Sequence, residues 1–83
     1  MTFDIKDTTG MRIKTCNKYD AKINVIARQG GNIKKTETIT INSSDEADFP
    51  IIVTGLQKGD YSFELKVVEG KIDFEYILYE FTP

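Results

Sequence analysis

YSFELKVVEGKIDFEYIL, residues 61–78, decides the class of this chain. Tyr61, Phe63, Leu65 and Val67 alternate with Ser62, Glu64 and Lys66. After Glu69 and Gly70 the alternation resumes, with Ile72, Phe74, Tyr76 and Leu78 against Asp73 and Glu75. Period-two patterning of this kind belongs to half-buried β-strands. The spacing predicts a hairpin. A loop at 69–70, or a longer one at 68–71, sets Val67 opposite Ile72, Leu65 opposite Phe74, Phe63 opposite Tyr76 and Tyr61 opposite Leu78, all on one face. A three-residue loop would set Leu65 opposite Asp73 and Phe63 opposite Glu75, moving apolar groups off the shared face. Each apolar cross-strand pair contributes roughly 0.2–1 kcal/mol.

Working outward, the chain reads as seven strands. The first lies near 2–6, with Phe3 and Ile5 inward, and the second near 11–15, with Met11 and Ile13 inward and Arg12 and Lys14 outward. The third covers about 21–28, with Ile23 and Val25 on one face and Ile26 on the other. Gln29-Gly-Gly-Asn32 is the strongest turn signal. The fourth covers about 33–41, with Ile39 and Ile41 inward and Lys34, Thr36, Thr38 and Thr40 as a polar face. Residues 42–49 are irregular, with room for one helical turn capped by Ser or Asp. Pro50 opens a short strand, Ile51-Ile-Val53, whose apolar run predicts cover on both sides. The last two strands follow from Asp60. The expected fold is therefore all-β: a single antiparallel β-sandwich of about seven strands, immunoglobulin-like, with a small β-barrel as the alternative. Pro50 at a strand start agrees with proline's avoidance of central ladder positions.

The 83 residues, 1–83, form one domain. Net charge is −2, which disfavours general binding to nucleic acid or anionic membranes, since both want a basic excess. No apolar run approaches the roughly 20 residues needed to cross a bilayer. The start, Met1-Thr-Phe-Asp-Ile-Lys, carries no apolar signal segment, so the expected location is the cytoplasm of the producing cell or a virion. Cys16 is the only cysteine, which removes internal disulfides and the stapled extracellular modules that depend on them.

Two stretches carry resemblances. Val53-Thr-Gly-Leu-Gln-Lys-Gly-Asp-Tyr-Ser-Phe-Glu-Leu-Lys-Val67 resembles the late strands of immunoglobulin-like and PKD-like sandwich modules, in which a GL-x-x-G-x-Y-x-F-x-L-x-V pattern turns one strand into the next. The resemblance implies core roles for Leu56 and Tyr61; the cysteine pair and tryptophan of antibody domains are missing. Residues 7–25, which include Thr15-Cys-Asn-Lys-Tyr-Asp20 before Ile23-Asn-Val25, resemble short β-segments of bacteriophage tail, baseplate and head-fibre proteins. There Asn17 stands in place of a glycine, and asparagine tolerates positive φ better than most residues. This second resemblance implies a viral or mobile-element origin.

The chemistry-bearing residues exclude more than they offer. The chain has no histidine, so Ser-His-Asp and Cys-His nucleophile arrangements are absent, and one cysteine cannot build a zinc site. Asp45, Glu46 and Asp48 supply hard oxygens of the type calcium prefers, without the spacing or the glycine of an EF-hand loop, and read as a solvated acidic loop. Asn42-Ser-Ser44 matches a glycosylation acceptor, which has no weight without secretion. Gly30 and Gly31 precede a strand rather than a helix, so they read as a turn and not as a phosphate cradle. Lys34 and Lys35 form too short a basic run for nucleic acid. No enzyme activity, cofactor or metal is expected.

One surplus remains. The last strand is apolar on both faces: beside Ile72, Phe74, Tyr76 and Leu78 stand Ile77, Tyr79 and Phe81. Either another part of the chain covers that second face, or Ile77, Tyr79 and Phe81 form a subunit or partner surface, where aromatic residues are enriched. The expected function is a non-enzymatic protein-interaction module, from a phage or mobile-element virion, that binds a protein partner or itself. A small intracellular inhibitor of a host protein is the alternative. A carbohydrate-binding module is weaker, because it would rest on Tyr19 and Tyr79 without a tryptophan.

Overall fold

A computed structural model describes residues 1–43 and 49–82 of the chain, with side chains described as far as 75 in the last strand. Seven strands run in chain order: β1 Thr2–Thr8, β2 Gly10–Asn17, β3 Ala21–Gln29, β4 Asn32–Ile41, β5 Phe49–Val53, β6 Gly59–Gly70 and β7 Phe74–Thr82. They form two open antiparallel sheets, a four-stranded one ordered β1-β6-β3-β4 and a three-stranded one ordered β5-β2-β7. The fold is a small antiparallel β-sandwich and not a closed barrel. The expected helical turn at 42–49 falls largely outside the described residues, as do Asp45, Glu46 and Asp48. Among the described residues no helix is long and apolar enough to cross a membrane.

The core follows from alternation in both layers. Ile5, Ile23, Val25, Ala27, Ile41, Tyr61, Phe63 and Leu65 from the larger sheet meet Met11, Ile13, Ile51 and Val53 from the smaller one. Phe63 is fully buried, and a side chain of that size contributes roughly 1.5–3 kcal/mol by leaving water. Leu56, Ile72 and Phe74 pack against this cluster from the connections and from the start of β7.

The immunoglobulin likeness can be located strand by strand. In immunoglobulin sandwiches strand B pairs with E and strand C with F. Here β2 pairs with β5 and β3 with β6, and β4 continues the larger sheet beside β3. The tyrosine corner is also present: the Tyr61 hydroxyl, at the start of β6, donates to the Gln57 carbonyl four residues upstream. The outermost strands differ. The first strand lies beside β6, where an immunoglobulin domain carries its last strand, and the last lies beside β2, where such a domain carries its first.

This arrangement corrects the expected hairpin. β6 pairs with β1 and β3, while β7 pairs with β2 in the opposite sheet. The apolar faces of residues 61–78 are therefore buried across the sandwich rather than side by side. Alternation is the same in both cases, because it records one buried face and not the identity of the neighbour. Gly70 makes the crossover possible: its φ is +77°, and a Cβ there would stand 2.1 Å from the Asp20 carbonyl oxygen. Two lesser expectations also change. Val67 is 39% exposed, beside a register shift in which Val67 pairs with Ile23 and Glu69 with Lys22. Ile52 is 42% exposed, because β5 is an edge strand with only one face on the core.

The hairpin that does form is β3–β4. Gly30 and Gly31 both have positive φ, +58° and +82°, the two-residue geometry that matches strand twist. Every other connection passes from one sheet to the other.

Candidate interaction surface

An open sandwich has four edge strands, and here they form two flanks. On one flank β1 lies near β7; on the other β4 lies near β5. An edge strand offers unpaired amides and carbonyls to another chain unless something interrupts it.

Three of the four edges are interrupted. In β1 the regular pairing with β6 covers Thr2 to Ile5 and then shifts, with Asp7 at a φ of +52°. The Asp7 amide turns to the Asp60 carboxylate at 3.0 Å instead of continuing the ladder. β5 is five residues long and carries Pro50, which has no amide hydrogen to offer. In β4 the register shifts at Lys34: Ala27 pairs with Lys35, and Arg28 with Ile33. Lys35 and Glu37 occupy the same alternation set as Ile39 and Ile41, half-buried between exposed Lys34, Thr36, Thr38 and Thr40. Their charges meet at 3.1 Å, and Lys35 Nζ also donates to the Thr54 carbonyl, just past β5.

The fourth edge is β7. It has a register shift near its start, between the Asn17–Phe74 and Thr15–Ile77 pairs, and then six consecutive pairs with β2. Residues 77–82 contain no proline, lysine or arginine and one charge, Glu80. Among the described residues no strand lies on the other side of β7.

Ile77, Tyr79 and Phe81 lie on this strand. Their side chains are outside the described residues, and their backbone register is clear: Ile77 stands opposite Thr15, Tyr79 opposite Ile13 and Phe81 opposite Met11. All three β2 residues are buried.

The residue that delivers β7 to this position is Asn17, which the sequence marks only as a turn former. It is 6% exposed at the end of β2. Its Nδ2 donates to the carbonyls of Tyr19 at 2.6 Å and Lys71 at 3.1 Å, while its Oδ1 accepts from the Asp73 amide at 2.7 Å. One side chain thus satisfies backbone groups of both segments that meet where β6 crosses to β7. Around it Lys18 pairs with Glu75 at 3.1 Å, and Lys71 Nζ lies 4.8 Å from the centre of the Tyr19 ring. The Glu75 carboxylate raises the Lys18 pKa above its ordinary value, through the hydrogen bond first and charge second. The Lys71 ammonium covers one face of Tyr19, a ring that sugar stacking would need.

Other polar features have local partners. The Glu64 carboxyl is held below its ordinary pKa mainly by its hydrogen bond from Arg28, at 2.7 Å. The Asp20 carboxyl is lowered by the Ser43 backbone amide, which donates to it at 2.7 Å. Asp20 also borders a depression of about 410 Å³ at the end of the larger sheet, with Lys22, Glu69 and Gly70. Lys22 and Glu69 are register partners, so their opposite charges offset each other there. Among the described residues no group of three or more acidic, cysteine or histidine side chains is placed to hold a metal. Cys16 is half-buried, with Sγ 4.0 Å from a Glu75 carboxylate oxygen.

No family model, curated protein or solved structure matches the chain.

Proposed function

We propose that this chain is a non-enzymatic protein-interaction module that takes an extended segment of a partner protein onto the free edge of β7. The observation that carries the proposal is the contrast among the edges: β1 breaks at Asp7, β5 is short and carries Pro50, β4 carries inward charges at Lys35 and Glu37, and residues 77–82 of β7 pair in unbroken register with Glu80 as their one charge. Strand addition draws affinity from backbone hydrogen bonds and specificity from alternate side chains. Ile77, Tyr79 and Phe81 on one parity of the strand, and Leu78 and Glu80 on the other, would be the neighbours of such a segment. The resemblance of residues 7–25 to phage tail, baseplate and head-fibre segments supports a place in a virion or a mobile element's accessory proteins, where the partner would be another structural chain or a second copy.

Proline scanning tests the edge directly. Successive residues of an edge strand turn their amides alternately to the neighbouring strand and to solvent. Of Leu78→Pro and Tyr79→Pro, one therefore removes a β2 hydrogen bond and disrupts the fold, and the other removes only an outward amide. The folded member of the pair is expected to lose capture of virion or neighbouring-gene proteins, and any self-association seen by light scattering. Undiminished association in that folded variant would sink the proposal.

A further inference from the structure

β4 is a strand that should aggregate. Thr36, Thr38 and Thr40 line its exposed face, Ile39 and Ile41 its inward face, and its outer edge has no neighbouring strand among the described residues. Alternating threonine and isoleucine is a strong strand former and a hazard on a free edge. Only two residues between Lys35 and Ile41 break that alternation, Lys35 and Glu37, which stand where apolar residues would complete the inward row.

We propose that Lys35 and Glu37 close the β4 edge to strand addition. Antiparallel pairing of two β4 strands about a two-fold axis makes the reason concrete. An axis at Glu37 sets that carboxylate opposite itself, and an axis at Lys35 sets two ammonium groups together; like charges directly opposite are destabilising. An axis at Thr38 sets Glu37 opposite Ile39 and Lys35 opposite Ile41, burying charges against apolar groups. An axis at Thr36 pairs Lys35 with Glu37 but runs at once into the register shift at Lys34. All four of these central registers are penalised. Within one chain the two charges are satisfied, by each other at 3.1 Å and by the Thr54 carbonyl, so the device costs the monomer little. It stands independently of what β7 binds. Taken with an open β7, it limits association to one added strand instead of a growing fibre.

The test replaces both charges with valine, in a Cys16→Ser background carrying Thr36→Cys as a β4 probe. Lys35→Val with Glu37→Val is expected to shift sedimentation toward large species, bind thioflavin and form disulfides through the probe. The parent with the same probe is expected to do none of these. Association through β7 alone would leave the probe unlinked, which separates this inference from the preceding one. If the double variant fails to fold, Glu37→Val by itself, which retains the Lys35 contact to Thr54, is read by the same assays. The swap Lys35→Glu with Glu37→Lys keeps charge at both inward positions and is expected to behave as the parent. A folded valine variant no more associated than the parent, or a swap that associates as the valine variant does, would overturn the proposal.

Discussion

The two flanks of this sandwich solve different problems with different chemistry. At the β4/β5 flank, charges, a register shift and a proline interrupt the edges, and the Lys35 contact to Thr54 spans the gap between the layers. At the β1/β7 flank polar groups hold the chain itself: Asn17 satisfies three backbone groups around the crossover that delivers β7. Polar side chains serve at one flank to exclude a neighbour and at the other to place a strand. The second role concerns the native topology itself, so damage there should cost more stability.

The largest effect is expected at Gly70. Alanine there must take a left-handed backbone conformation and place its Cβ against the Asp20 carbonyl, so Gly70→Ala should cost on the order of 3 kcal/mol. Asn17→Ala leaves the Asp73 amide and the Lys71 carbonyl without their partner and should cost about 2 kcal/mol, or on the order of 10 °C in Tm. Thermal unfolding monitored by circular dichroism measures both. If Lys35→Met, at the other flank, lowers Tm as much as Asn17→Ala does, the contrast between flanks is wrong.

Tyr61→Phe tests the corner more gently. Removing the hydroxyl deletes the bond to Gln57 and keeps the ring, which is only 6% exposed, so a loss of about 1 kcal/mol is expected. An unchanged denaturant midpoint would show that the ring alone sets the corner.

How much of this was legible beforehand depends on what each residue type records. Alternation made the strands readable, and Gly30 with Gly31 made the β3–β4 hairpin readable, because two consecutive positive φ values suit few other residues. Pro50 marked the start of a strand, and the apolar run after it misled: β5 is an edge strand with Ile52 exposed. The core roles expected for Leu56 and Tyr61 are met, and the Tyr61 hydroxyl bond to Gln57 was not foreseen. Pairing was not legible. Tyr61, Phe63 and Leu65 are buried whether the next strand lies beside them or across the core, and no local signal separates those cases. Asn17 was hidden for a similar reason: asparagine suits turns, and its three partners are carbonyls and an amide supplied by other parts of the fold. The surplus of apolar residues in β7 has a backbone counterpart. The register shift after Phe74 changes which parity of the strand stands opposite buried residues of β2, from even-numbered Phe74 to odd-numbered Ile77, Tyr79 and Phe81.

The smallest effects should divide the two flanks by pH. Asp20 holds the Ser43 amide just beyond β4, and its lowered pKa means that this contribution is complete above the ordinary carboxylate range and is lost as pH falls through the lowered value. Lys18 holds Glu75 at the start of β7, and its raised pKa means that this contribution is complete below the ordinary lysine range and is lost as pH rises through the raised value. Alkali should therefore act at the start of β7 and leave the Asp20 contact at the end of β4 in place, whereas acid removes the Asp20 contact and also the carboxylate charge that Lys18 pairs with. Both contacts are exposed, so each change is local and small, and salt should screen the Lys18 pair. Carbon-detected NMR across pH reads the two places separately, at Ser43 and at Phe74 with Glu75. Asp20→Asn should abolish the acid response at Ser43 and leave the alkaline response of β7 in place, and Lys18→Met the reverse. A response that survives removal of its own ionisable group would trace the pH sensitivity to the sandwich as a whole and erase the distinction between its sides.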